Sequence, residues 1–215
     1  MMIGAGLVAL WQVAGQLRTP VGGSVGTGQA GHVPEARVGR TLGAGAVGYL
    51  AIAAGIALAG GLAASMAPGS LLLFVVYAAL AAYAHELIVG LAAMHSGWFP
   101  AFAVALITLL LGITLGFPPE ALALLTGFSV ATGPAFADMG YDLKAGFVLR
   151  GRGAGPAFEL EGRQQQFLAA SVGFATALVV VLLSWRGYFA AGLVPPVARV
   201  YATTIGAGVA LSDGL

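Results

Sequence analysis

The 215-residue sequence has no cysteine, and its charged residues are scarce. Without cysteine the chain has no disulfide, no thiolate nucleophile and no cysteine-based metal site. Asp, Glu, Lys and Arg make up only 8% of the residues, whereas a soluble domain carries about 25%. So few charges do not cover a water-facing surface. The net charge of +1 does not indicate a partner, and no basic run suggests nucleic acid.

Long apolar runs replace the missing charges. Hydrophobic residues make up 59% of the chain, and the mean hydropathy is +0.95. In lipid, backbone polar groups must be paired inside a helix or a closed barrel. The runs are continuous, whereas barrel strands alternate polar and apolar residues over about ten positions. We therefore predict an all-α fold, a polytopic transmembrane helical bundle that forms one membrane domain over residues 1–215.

The apolar runs and the basic residues together predict a topology. At roughly 20 apolar residues per span, about six spans are expected. They cover residues 2–17, 42–66, 70–94, 100–116, 120–137 and 166–185, followed by a partial or re-entrant segment at 187–211. Lys and Arg gather in the predicted loops 18–41 and 138–165, which an even number of spans separates. By the positive-inside rule both loops are cytoplasmic, in a multi-pass protein of the cell (inner or plasma) membrane.

An ionisable pair, His85 and Glu86, interrupts the run 70–94. A zinc-protease helix needs a second histidine four residues after the first, but that position is Val89, so no metal site is predicted. Ionisable groups inside a bilayer are costly and usually functional, and histidine titrates near neutral pH. The pair is predicted to relay protons or to face a substrate. The alternative is that Glu86 lies near the interface or pairs structurally with another helix.

A second interruption contains Ser96 and Gly97, followed by Pro100. Helix breaks of this kind often line the substrate cavity of transporters, and the alternative is an ordinary turn between helices. Residues 43–48 match the dinucleotide pattern G-x-G-x-x-G, but no strand precedes them, so we interpret their glycines as sites of close helix packing. Gly112 and Gly116 form a GxxxG pair with the same interpretation.

Asp138 and Asp142 are four residues apart, which places both carboxylates on one face of a helix. Lys144 follows closely and can pair with them. We predict a structural or gating ion cluster of these three residues. The sequence contains no catalytic constellation, so neither enzyme activity nor a cofactor is expected.

The segment 136–147 resembles the signature of the oligopeptide transporter (OPT) family, which includes the yellow stripe-like metal-chelate transporters. The matching residues are Asp138, Asp142, Leu143, Lys144 and Gly146, while Tyr141 and Ala145 stand where the family usually has Gln and Thr. Residues 163–165 resemble the basic-Gln-Gln opening of the family's next span. Residues 95–97 fall where the family has Asn-Pro-x-Ser-Gly, and the resemblance extends over nearly the whole chain.

This resemblance implies secondary active transport, namely proton-coupled symport of short peptides or of metal-chelate and siderophore complexes. Together with the cost of placing ionisable groups in an apolar segment, it makes His85, Glu86, Ser96 and Gly97 the candidate residues of the substrate and proton pathway. Family members are longer, so the chain is expected to be an internal to C-terminal part. Its partners are then the lipid bilayer, protons, the substrate, and the missing half of the transporter or a second copy. The alternative is a non-transporting membrane subunit or a degenerate fragment that only packs against a partner.

Overall fold

A computed structural model describes residues 35–97, 100–153 and 155–213. Within these ranges the chain forms seven helices and no strand, so the predicted all-α class is confirmed. The helices are α1 (Glu35–Ala59), α2 (Leu62–Ser65), α3 (Pro68–Ser96), α4 (Ala101–Thr114), α5 (Pro119–Leu149), α6 (Pro156–Ala190) and α7 (Pro196–Asp213). The predicted span 2–17 and most of the predicted loop 18–41 lie outside the described residues.

Among the described residues, four helical segments are long and apolar enough to cross a bilayer: Arg40–Ala59, Pro68–Ala93, Pro119–Leu149 and Pro156–Ala190. The chain is therefore a helical membrane protein. Helix α4 corresponds to the predicted span 100–116, but it has only 14 residues. At about 1.5 Å per residue it is roughly 21 Å long, shorter than the ~30 Å apolar thickness of a bilayer.

Proline and glycine set the helix boundaries. Helices α3, α5 and α6 each begin with proline, whose fixed φ suits the first helical turn and whose missing N–H has no intrahelical role there. Glycines with positive φ follow the ends of several helices, because this backbone conformation is strained for other residues. They are Gly61, Gly97, Gly116, Gly151 and Gly192.

The predicted loop 138–165 is wrong for most of its length. Helix α5 continues through Leu149, and α6 begins at Pro156. Charged residues favour an aqueous position but do not break a helix. The chain leaves the helix only where Gly151, Arg152 and Gly153 take positive φ angles. The apolar segment 187–211 is likewise divided between the end of α6 and α7.

Helices α3 and α5 form the most extensive pair and the centre of the bundle, with α1, α4 and α7 packed around them. The core is built from aromatic and leucine side chains set among alanines, with Phe74, Leu109, Leu122 and Leu125 fully buried. Helix α6 differs from the others, because its main contacts are with α5. Among the described residues, none of its most apolar 18-residue window is buried, as expected for a helix whose surroundings are lipid.

Candidate functional site

The imidazole of His85 is completely buried at the interface between α3 and α5. It lies directly against the backbone of Gly133, where a Cβ would come within 2.7 Å of ring atoms Cδ2 and Nε2. Val89, one turn further along α3, closes the same space at 3.3 Å from that Cβ position. Glycine at residue 133 is therefore what allows the ring to fit between the two helices.

Several buried polar atoms of α3 and α5 lack hydrogen-bond partners among the described residues. They include both ring nitrogens of His85 and the hydroxyl oxygen of Ser129, which lies one turn before Gly133 on α5. The backbone of Ala101, at the beginning of α4, also faces the ring, but without hydrogen-bonding geometry to either nitrogen. An unpaired polar group in an apolar interior costs free energy, so this cluster is not explained by packing alone.

Glu86 turns toward a different helix. Its carboxylate neighbours the hydroxyl of Tyr49 on α1, and its Oε2 atom is buried without a partner within the described chain. The Tyr49 ring is held by an edge contact with Tyr83 on α3 and a tilted contact with Phe128 on α5, at centroid distances of 5.8 and 5.9 Å. Consecutive helical residues point roughly 100° apart, which is why His85 faces α5 while Glu86 faces α1.

The depth of the pair bears on one part of the alternative, that Glu86 lies near the interface. The other part, structural pairing with another helix, agrees with the contact between Glu86 and Tyr49 of α1. With the span Pro68–Ala93 centred in the bilayer, His85 lies about 7 Å of helix rise from its midpoint. The apolar half-thickness of a bilayer is about 15 Å, so this placement is inside the apolar core and not at the interface. Imidazole and carboxylate groups each bind and release a proton, and here three helices surround them. The arrangement is chemically suited to proton transfer through the bundle.

Ser96 and Gly97 do not join this cluster. Helix α3 ends at Ser96, whose side chain lies outside the described part, and the Gly97 N–H donates to the Ala93 carbonyl at 3.1 Å. Gly97 is exposed and has a φ of 69°. About 16 Å of helix rise separates residues 85 and 96. The break is therefore the turn that connects α3 to α4, and it is not a break within a continuing helix.

The predicted ion cluster occupies exposed positions, since the side chains of Asp138, Asp142 and Lys144 are all exposed. A partly buried ion pair lies further along the chain, between Arg150 at the end of α5 and Glu159 in α6. Arg150 donates from Nε to Oε2 at 2.8 Å and from its second guanidinium nitrogen to Oε1 at 3.0 Å. This two-point geometry is the stronger form of an Arg–carboxylate pair. The hydrogen bond to Glu159 raises the pKa of Arg150.

Gln166 links this pair to the predicted motif. Its side-chain oxygen accepts from Arg150 at 2.7 Å, and its Nε2 donates to the backbone carbonyl of Asp142 at 2.7 Å. Gly146 makes room for the link, because a Cβ there would clash with the Gln166 amide. Asp142 thus contributes its main chain to the junction of α5 and α6.

The sequence reasoning missed Glu159 and Gln166. The available signal was the four-residue spacing of Glu159 and Arg163, directly after a proline that starts a helix. Arg163 does contact Glu159, at 3.3 Å.

No protein-family model, curated protein or solved structure matches this chain. The resemblance to the oligopeptide transporter family therefore stays a prediction.

Proposed function

We propose that this chain is a multi-pass membrane transporter, or a part of one, in which His85 and Glu86 carry protons. The supporting observation is the buried pair itself. Two adjacent ionisable side chains of a candidate membrane span contact two different helices, and both have polar atoms without partners in the described chain. Ionisable residues are retained in such places mainly where protons, ions or substrates pass.

The substrate class rests on the motif resemblance and is part of the proposal. Short peptides and metal-chelate or siderophore complexes are the substrates to assay first, with an inward proton gradient as the driving force. The proposed location is the cell membrane, with the basic junction between α5 and α6 on the cytoplasmic side. The proton-coupling part of the proposal is independent of the substrate class, because proton entry can be measured without knowing the substrate.

The test is proton-driven uptake by the purified chain in proteoliposomes loaded with a pH-sensitive dye. Labelled peptides or ferric chelates are supplied outside, and both substrate and proton entry are followed. We expect Glu86→Gln to abolish the coupled proton entry, because glutamine keeps the shape of glutamate but cannot bind and release a proton. Glu120→Gln is the matched control, because Glu120 is an exposed glutamate in the first turn of α5. Uptake and proton entry that are the same in Glu86→Gln and Glu120→Gln would rule out the coupling role.

A non-transporting membrane subunit is the second candidate. The observation that favours it is the apolar part of α6, which is not buried within the part of the chain that the structure describes and offers a surface for another protein. A chain of this kind would give neither proton entry nor uptake in the same vesicles. Its phenotype would instead depend on the exposed face of α6 and not on Glu86, so leucine-to-alanine changes along α6 would affect its function while Glu86→Gln would not.

A further inference from the structure

A groove of about 380 Å³ lies beside the last turns of α5, where α6 begins. We call it the α5–α6 groove. It is separate from the His85 and Glu86 pair proposed above for proton transfer. Its lining residues are Phe136, Met139, Gly140, Leu143, Lys144, Phe147 and Arg163.

Most of the lining belongs to one stripe of α5. The five uncharged lining residues recur at intervals of three and four, the spacing of residues that share one face of a helix. Gly140 adds no side chain to this face. From residue 136 to residue 147 the stripe extends over about 16 Å of helix rise. The groove therefore has an apolar wall that runs along α5 and is long enough for several carbons of an acyl chain.

Both charged residues of the lining are basic. Asp138 and Asp142 lie roughly 200° and 240° around the helix from Phe136, on the opposite side of α5, and both are exposed. On α6, Glu161 is two residues before Arg163 and so lies roughly 200° around that helix from it. The charge that the groove presents is therefore positive, even though acidic residues are close in the sequence.

Arg163 keeps a net charge despite its contact with Glu159. The Glu159 carboxylate already receives two short hydrogen bonds from Arg150, at 2.8 and 3.0 Å. The contact from Arg163 is longer, at 3.3 Å, and its side chain remains 56% exposed. The three residues together carry one excess positive charge. That charge lies on the Arg163 side, next to the groove.

We propose that the α5–α6 groove binds an anionic phospholipid, whose phosphate pairs with Lys144 and Arg163 and whose acyl chain lies along the apolar stripe. Basic residues near the end of transmembrane helices attract anionic lipid headgroups, and an adjoining apolar wall favours a lipid over a free phosphate. Both the charge and the apolar length of the groove match such an occupant. The bound lipid covers the stripe and links α5 to the first turns of α6.

The test is native mass spectrometry of the full chain, released from detergent after incubation with equal amounts of phosphatidylglycerol and phosphatidylcholine of the same chain length. We expect the chain to retain phosphatidylglycerol in preference to phosphatidylcholine. The preference should fall about fivefold for each cation removed, in Lys144→Gln and in Arg163→Gln. Arg152→Gln is the matched control, because Arg152 is an exposed arginine of the same connection that does not line the groove.

Equal retention of the two lipids by the parent chain would overturn the proposal. An unchanged preference in the Lys144→Gln, Arg163→Gln double variant would do the same. A further arm adds excess glycerol phosphate, which carries the headgroup charge without acyl chains. Displacement of the lipid at similar concentrations would assign the site to free phosphate and contradict the lipid assignment. Lys144→Gln alone keeps the test valid if removing Arg163 unfolds the chain, since Lys144 is outside the Arg150–Glu159 pair.

Discussion

The ring of His85 on α3 packs against the backbone of Gly133 on α5, with no room for a side chain at residue 133. The next residue is Pro134, which lies inside α5 and lacks the N–H that would complete the helical hydrogen bond. The centre of the bundle therefore combines a buried imidazole, a missing side chain and a missing backbone donor at one level. None of the three lowers the free energy of a purely structural helix pair. Together they distinguish this position along the two helices from the leucine and alanine packing around it.

Gly133→Ala is expected to destabilise the protein, because the added methyl group overlaps the His85 ring. Overpacking of a core typically costs about 1–3 kcal/mol. Gly127→Ala is the matched control, since it lies on the same helix and its Cβ meets nothing within 4 Å. The free energy of unfolding in detergent should fall for residue 133 and be maintained for residue 127. Equal values for the two variants would show that α3 and α5 are not packed as described.

The membrane class and the helical fold followed from the sequence because both depend on quantities summed over many residues. The ion pairs could not be predicted from the sequence in this way. Asp138, Asp142 and Lys144 attracted attention as charges in a motif, yet the partly buried partners are Arg150 and Glu159, which meet only because a turn at 151–153 brings α6 back onto α5. Pairing across that turn depends on two positive-φ glycines and one arginine, and such geometry is not readable from spacing along one helix.

Helix packing at glycine pairs was also only partly predictable. Gly112 packs as expected, because a Cβ there would lie 2.8 Å from Leu125 and 2.9 Å from Leu122. Gly116, its partner in the GxxxG pattern, faces open space and instead has a φ of 74° after the end of α4. Gly43 and Gly48 also have nothing within 4 Å of a Cβ among the described residues, so the predicted close packing is not found there. The pattern indicates where glycine is used. It does not indicate whether the position needs the missing side chain, as at Gly112, or the positive φ angle, as at Gly116.

Gly116→Ala should lower stability by about 1 kcal/mol, because an L side chain is strained at this positive φ although space is available. Gly48→Ala provides the comparison, since it has the same open surroundings within the regular helix α1. Chemical denaturation of the two variants separates backbone strain from side-chain contact. A Gly116→Ala protein as stable as Gly48→Ala would contradict the left-handed turn at the end of α4.

Tyr77→Phe should also cost about 1 kcal/mol, the usual net contribution of one hydrogen bond. The Tyr77 hydroxyl donates to the Thr108 carbonyl at 2.8 Å and so ties α3 to the short helix α4. Tyr83→Phe removes a longer and more exposed bond, to the Leu42 carbonyl at 3.3 Å, and should have a smaller effect. Thermal unfolding midpoints of the two variants measure the difference, and a larger loss for Tyr83→Phe would contradict this ranking.

Removing the guanidinium of Arg150 should loosen α6 relative to α5. Arg150 holds both Glu159 and Gln166, and the apolar window of α6 has no burial against the described residues that would replace them. The chain has no cysteine, so spin labels attached at Ala131→Cys and Ala177→Cys report the distance between exposed positions of the two helices without further changes. We expect a narrow distance distribution in the parent and a clearly broader one in Arg150→Gln. Arg163→Gln should remain close to the parent, because Glu159 keeps both of its bonds to Arg150. If Arg150→Gln gave the parent distribution, the ion pair would not be what positions α6, and the surrounding lipid would have to fix its orientation.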